Sequence, residues 1–199
     1  MSNDARAVGI VLAAGAGTRY GIPKVLAHDG DWLRSAVAAL AGGGCADVVV
    51  VLGAAVVEVP APARAVVAAD WASGAAASVR TGLAAAGGAA LAVLHTVDTP
   101  DVGADVVARV LPRAADTGLA RAVYGGRPGH PVAVAARHWP ALLRTLRGDE
   151  GARRFLAGRD DVVEVECGDL ASGLDTDERS REERVTDERS REEHVRDER

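Results

Sequence analysis

The sequence predicts an α/β fold: a three-layer α/β/α sandwich around a mostly parallel sheet. Three observations carry this expectation. Short apolar runs, each ended by glycine or aspartate, alternate with stretches whose apolar residues recur at helical spacing. The runs are apolar throughout, the pattern of strands buried on both faces. The 199 residues are 48% hydrophobic and 26% charged, enough apolar material for one such core.

The elements follow in order. Ala7 to Ala13 (AVGIVLA) is the first strand, running into glycine-rich sequence. Trp32 to Leu40 has helical spacing and stops at Gly42-Gly43-Gly44, a glycine ending. Asp47 to Leu52 (DVVVVL) is a second strand closed by Gly53, and Arg64 to Ala68 a shorter third. Ser73 to Ala86 is an Ala-rich helix stopped by Gly87-Gly88, and Ala90 to Val97 (ALAVLHTV) is a strand running into Asp98. A helix lies within Asp101 to Ala115. Ala120 to Tyr124 and Val132 to Ala135 form a strand pair around a glycine loop. Trp139 to Leu146 and Ala152 to Leu156 are helical, and Val162 to Cys167 is the last strand. Ligands in such sheets bind at the carboxyl ends of the strands, so informative residues should sit just after strands.

Composition narrows the partners. With 23 Lys and Arg against 28 Asp and Glu, the net charge is -5, and the basic surplus that meets nucleic-acid phosphates is missing. Two cysteines, Cys45 and Cys167, make no disulfide framework, and no Cys/His spacing resembles a zinc site. Met1 to Arg6 does not begin a signal peptide, and no stretch reaches the roughly 20 apolar residues of a membrane span. The expectation is a cytoplasmic protein with neither a membrane nor a nucleic-acid partner. Ala, Val and Gly dominate while aromatics make up 3%, a bias that by itself carries little structural meaning.

The C-terminal charge is concentrated. Asp177 to Arg199 holds ten acidic and seven basic residues, and Thr176 to Val185 (TDERSREERV) is almost repeated by Thr186 to Val195 (TDERSREEHV). That period of ten fits neither a helix nor a heptad, and Val185 and Val195 are its only apolar residues. The expected division is a folded domain over 1–176 and a charged low-complexity tail over 177–199, passive in the first reading and a docking tail in the alternative.

The most informative stretch is Leu12 to Lys24, LAAGAGTRYGIPK. Gly15, Gly17 and Gly21 free the backbone to curl and present N–H groups to an anion. A dinucleotide fingerprint needs its third glycine one residue earlier and an acid ending the second strand, where Gly53 stands. A P-loop needs Gly-Lys-Ser/Thr, and this loop offers Gly-Ile-Pro-Lys. A third reading adds Arg19 and Lys24 as cations for a triphosphate. Of the 23 Lys and Arg residues only Lys24 is a lysine, which suggests a position where a compact ammonium serves and a planar fork does not.

LAAGAGTRYGIPK resembles the signature of the MobA-like nucleotidyltransferases, approximately LAAGxGxRxGxxK. The resemblance covers most of residues 7–178. It includes Trp71-Ala72-Ser73-Gly74 with Ser78, Val97-Asp98-Thr99-Pro100, Gly125 to Pro131 (GGRPGHP), Gly148-Asp149-Glu150-Gly151-Ala152-Arg153 and Leu174-Asp175-Thr176. The GHP and GDxGAR elements are most similar to those of molybdenum cofactor cytidylyltransferases.

The resemblance implies a Rossmann-like sandwich of the nucleotide-diphospho-sugar transferase type. It gives Leu12, Ala13, Ala14, Gly15, Ala16 and Gly17 to the nucleobase and phosphates, with Arg19 and Lys24 as catalytic cations on the triphosphate. Cytidylyl-transferring relatives carry the Ala-Ala-Gly form seen at Ala13-Ala14-Gly15, which favours CTP. Gly74 and Ser78 are contacts to the nucleotide or the acceptor at a helix N-terminus, or equally a plain cap. Asp98, at a strand's carboxyl end, suits a hard cation that takes oxygen ligands. With Asp175 it is the implied holder of Mg²⁺ (or Mn²⁺). Relatives often read Asp-hydrophobic-Asp-Thr-Pro around the second carboxylate, so Gly173 and Asp177 depart from the pattern. Gly129, His130, Pro131 and Asp149 are expected on the acceptor side, although Asp149 could equally cap the helix at Ala152. His28, His95 and His138 are read as structural.

The implied activity moves CMP from CTP to the phosphate of a molybdopterin-type acceptor, releasing pyrophosphate, with a molybdenum hydroxylase receiving the product. Another nucleotide or phosphate acceptor, or a silent nucleotide-binding regulator, are the alternatives.

Overall fold

Strands that are apolar on both faces must be covered from both sides, and the chain supplies the cover. The computed structural model describes residues 6–176, so the charged repeat lies outside the described residues. In chain order the elements are β1 (Ala7–Leu12), α1 (Asp31–Gly42), β2 (Asp47–Leu52), β3 (Arg64–Val67), α2 (Ala75–Ala85), β4 (Leu91–Thr96) and α3 (Ala104–Val110). They continue with α4 (Ala114–Thr117), β5 (Leu119–Tyr124), β6 (Arg127–Ala135), α5 (Trp139–Thr145), α6 (Arg153–Leu156) and β7 (Val163–Glu166). The strands form one sheet in the order β3-β2-β1-β4-β6-β5-β7. Its pairings are parallel except those of β6, which runs antiparallel to both β4 and β5. This is the α/β sandwich the sequence predicts, and the β5–β6 hairpin is the expected strand pair.

Alternate residues of each central strand point to opposite faces. Val11, Val50 and Val93 pack under α1 and α3 with Leu40 and Val107. Ile10, Val49 and Leu94 pack under α2, α5 and α6 with Val79, Leu142 and Phe155. Two glycines set the spacing of these layers at β1. A Cβ at Gly9 would stand 2.8 Å from Leu40 Cβ, and one at Gly82 of α2 would stand 2.5 Å from Ile10 Cγ2. The Ala/Gly/Val bias therefore has structural meaning at these positions, where small residues let both helical layers lie close on the sheet.

Two helices are shorter than expected. The helix expected from Ser73 starts at Ala75, because Gly74 takes φ 106° and cannot be a helical residue; Trp71–Ser73 forms a separate 3₁₀ turn before it. The Asp101–Ala115 stretch is divided into α3, a 3₁₀ turn at Leu111–Arg113, and α4. Pro112 sits at that break, where it has no N–H to donate back along the helix. An unexpected segment, Lys24–Gly30, of 3₁₀ turns kinked at Ala27, His28 and Asp29, carries the glycine loop into α1. Both cysteines are buried free thiols, and burial pushes Cys45 up to about 12. Among the described residues no helix is long and apolar enough to cross a membrane.

Candidate active site

A cavity of about 510 Å³ opens at the carboxyl ends of β1 and β4. Its floor is the glycine loop. The loop turns back on itself at Gly17, whose φ is 61° and whose Cβ would fall 1.9 Å from Ile22 O; no other residue fits there. Gly21 N donates to Gly17 O at 2.7 Å, closing the turn and carrying the chain toward Lys24. Gly53 explains why no acid ends β2. Ala54 N pairs with Ala14 O at 3.0 Å, and a Cβ at Gly53 would stand 2.6 Å from both Ala14 O and Trp71 Cβ. The loop and the Trp71 turn close over the strand end where a ribose-binding carboxylate would stand.

The charged centre lies across that floor. Lys24 Nζ donates to Asp98 Oδ2 at 2.8 Å, both side chains largely buried. Burial works against the charged form of Asp98, but the hydrogen bond and charge of Lys24 outweigh it and hold the carboxyl below its ordinary value. The other oxygen, Oδ1, is buried and makes no hydrogen bond of ordinary geometry, with the Thr96 hydroxyl adding a weaker pull toward the ionised carboxyl. Such an oxygen is costly unless something completes it. Asp175 lines the same cavity, brought there by a backbone bond from Thr176 N to Asp98 O at 3.0 Å. Among the described residues no three His, Cys, Asp or Glu side chains cluster as a metal cage. Two carboxylates with one orphaned oxygen fit instead a divalent cation completed by phosphate and water oxygens, as Mg²⁺ usually is.

The opposite wall is the start of α2. Gly74, Ala75 and Ser78 face the cavity, with Trp71 and Ala72 beside them. The 3₁₀ turn Gly148–Glu150 packs onto this helix start, so that a Cβ at Gly74 would lie 2.5 Å from Asp149 Oδ1. Asp149 thus lines the cavity, and α6 has no side-chain cap.

Most of the sequence-predicted residues converge here: Leu12, Ala14, Gly15, Ala16, Gly17, Arg19, Lys24, Gly74, Ser78, Asp98, Asp149 and Asp175 all line the one cavity. Ala13 does not; it turns into the core on the α1 face and donates its N–H to Val51 O. Gly129, His130 and Pro131 are not brought to the cavity wall either. They lie on β6, with His130 Nδ1 3.3 Å from Leu94 O and His130 O accepting from Tyr124 OH at 2.6 Å. The Tyr124 ring is pressed between two glycines: a Cβ at Gly129 would stand 2.7 Å from it and one at Gly173 2.1 Å. The departure at Gly173 therefore has a local reason, since its φ of 60° and the ring beneath it admit no side chain. His28 stacks on Trp32 at 5.2 Å, and His138 contacts Thr117 O and the Phe155 ring. His95 is fully buried, and burial followed by the charge of His130 pushes it down to about 3, so it is neutral.

Sequence reasoning missed Thr18, Tyr20, Ala75 and Thr96, which also line the cavity. Thr96 was within reach, since it is the last residue of β4 and lies two before Asp98.

A doubly covered, mainly parallel sheet with a glycine-loop cavity at its carboxyl edge is the nucleotide-diphospho-sugar transferase fold. Residues 9–163 match the family model of the MobA-like NTP transferase domain, and the chain belongs to that nucleotidyltransferase family. It is 37% identical over 185 residues to the nicotine blue oxidoreductase of Paenarthrobacter nicotinovorans, covering 85% of this chain and 91% of that protein. The crystal structure of Rv0371c from Mycobacterium tuberculosis H37Rv aligns with TM-score 0.70 and 27% identity over 86% of this chain and 93% of that one. That protein has also been solved in complex with manganese, at TM-score 0.67, 26% identity and coverage of 86% and 94%. A nucleotidyl transferase from Methanothermobacter thermautotroptrophicus shares the fold at TM-score 0.73 and 19% identity, over 94% of this chain and 98% of that one.

Proposed function

We propose that the chain transfers CMP from CTP to the phosphate of a molybdopterin-type acceptor and releases pyrophosphate. The observation that carries this reading is the Lys24–Asp98 pair at the foot of the glycine loop, with Asp98 Oδ1 orphaned and Asp175 on the same cavity. Three carboxylates, Asp98, Asp149 and Asp175, face two cations, Arg19 and Lys24. Such a wall repels a bare triphosphate, so a further positive charge must enter with it. Asp98 and Asp175 would hold Mg²⁺ or Mn²⁺, which when bound neutralises phosphate charge. Arg19, Lys24 and the loop amides would hold the β- and γ-phosphates and take up charge on the leaving pyrophosphate. An acceptor phosphate oxygen attacks the α-phosphorus in line as the bond to the bridging oxygen breaks, so catalysis is positioning and neutralisation. CTP is preferred on the Ala13-Ala14-Gly15 form of the loop. On this reading the product passes to a molybdenum hydroxylase, and the site is cytoplasmic.

The test is a thermal-shift panel with CTP, GTP, ATP and UTP, with and without Mg²⁺, followed by pyrophosphate release with the acceptor. A ligand at a hundred times its Kd adds about 2.7 kcal/mol to stability. Selective, metal-dependent stabilisation by CTP is expected; a larger shift with another triphosphate moves the substrate.

A second reading rests on the 37% identity to a protein named as an oxidoreductase. There the cavity would take a substrate of the nicotine blue kind and exchange electrons with it. Anaerobic bleaching of a blue dye by NADH or NADPH, with no pyrophosphate release from any triphosphate, would establish it over transfer.

A further inference from the structure

We propose that Asp101 is a positioning residue that holds Asp175 opposite Asp98. The inference rests on the proposed metal role of those two carboxylates and extends it. Residues 171–176 belong to no helix or strand, and Leu174, their largest side chain, is 55% exposed. Apolar burial therefore does little to fix this strap, and hydrogen bonds must. Asp101 supplies two of them, the others being Ala171 N to Cys167 O, Arg127 to Ser172 O, Leu174 N to Ser172 Oγ and Thr176 N to Asp98 O. Asp101 Oδ2 accepts from Ser172 N at 2.7 Å and from Ser172 Oγ at 2.6 Å. Ser172 Oγ in turn accepts from Leu174 N at 3.3 Å, so the carboxylate orders the first turn of the strap through one side chain. The strap next crosses the Tyr124 ring at Gly173 and ends with Thr176 N on Asp98 O. Asp175 lies between the Asp101 anchor and the Asp98 anchor. The two ends of the loop Asp98–Asp101 thus hold the backbone on either side of it, one a candidate ligand and the other its brace.

A charge-assisted bond with two donors on one oxygen is stronger than a neutral one. Partners that orient metal ligands typically govern 10- to 100-fold in metal affinity. Asp101 is itself exposed, so its truncation leaves both core layers intact.

The experiment uses the full chain and the variants Asp101→Ala, Asp101→Asn and Ser172→Ala, with Asp98→Asn as control. In metal-free buffer, amide exchange at residues 172–176 should speed up about tenfold in Asp101→Ala while β4 is unchanged. With CTP present, Mn²⁺ affinity read by electron paramagnetic resonance should fall about tenfold, with Asp101→Asn in between and CTP affinity in EDTA unchanged. Turnover at saturating Mn²⁺ should stay within about twofold of wild type as the half-saturating metal concentration rises. Unchanged exchange, unchanged Mn²⁺ affinity, or lost turnover that excess metal does not restore each overturns the proposal. Mn²⁺ binding lost in Asp98→Asn but kept in Asp101→Ala removes only the role of Asp101. Wild type that binds Mn²⁺ no better than Asp98→Asn removes the metal reading, and this inference with it.

Discussion

Asp98 presents two oxygens in unlike surroundings: Oδ2 meets Lys24 at 2.8 Å, while Oδ1 is buried and unpartnered. Removing Lys24 leaves a buried carboxylate without its cation and the leaving phosphates without a preorganised donor. Lys24→Ala should lower turnover on the order of 10²-fold or more, and Lys24→Arg should restore only part of it, because a planar fork replaces a point charge. A steady-state comparison of the two variants checks this; wild-type turnover in Lys24→Ala would remove the loop from the mechanism. Asp98→Asn should abolish the dependence of nucleotide binding on divalent cation, read by thermal shift with and without Mg²⁺. His95 gives a stability prediction. Its folded-state pKa lies near 3 against an ordinary 6.5, so the unfolded chain binds the extra proton as pH falls through that window. Stability is therefore lost on acidification below about pH 6.5. His95→Leu should melt at or above the wild-type temperature, with the gap widening from pH 7 to pH 4, because both ring nitrogens lack partners.

At the scale of elements, β1 is gripped between α1 and α2 through Gly9 and Gly82. Gly82→Val would drive its side chain into Ile10 and cost about 1–3 kcal/mol. At about 2–4 °C per kcal/mol for a domain of this size, the loss is measurable by calorimetry, and an unchanged melting point would mean the layers can part. The strands were legible because their apolar runs are unbroken: AVGIVL, DVVVVL and LAVLHT are β1, β2 and β4 almost to the residue. Helix ends were less so. The starts of α2 and α3 depend on backbone angles at Gly74 and Gly103, which a hydrophobic period does not report. The glycine loop and Asp98 were readable as candidates because each follows its strand directly. The wall made by Gly148–Glu150 and the strap at 171–176 reach the cavity only by tertiary contact. Motif resemblance had to stand in for them. Nothing in the sequence marked Asp101, one aspartate among many, as the partner of Ser172.

For the whole molecule, the sheet order carries one reversed strand, β6, between β4 and β5, so β5 runs parallel to β4 and ends, with the Tyr124–Gly173 contact, on the same edge of the sheet. The charged repeat has no assigned part in this arrangement. A chain ended after Glu178 should keep its nucleotide-induced thermal shift within about 1 °C, by the bookkeeping that links bound ligand to stability. A lost shift would give the repeat a share in binding. Ending at Thr176 itself would be a poor control, since a new terminal carboxylate would stand beside Asp98 and Asp175. The distance in sequence between those two aspartates has a consequence for the timing of synthesis. The glycine loop and Asp98 emerge from the ribosome early, with three of the seven strands still unmade. Asp175 follows every strand and helix of the described domain. On the proposed chemistry, a partly synthesised chain has the phosphate cradle but not the second carboxylate, so it cannot spend nucleotide before the fold that confines the reaction is complete.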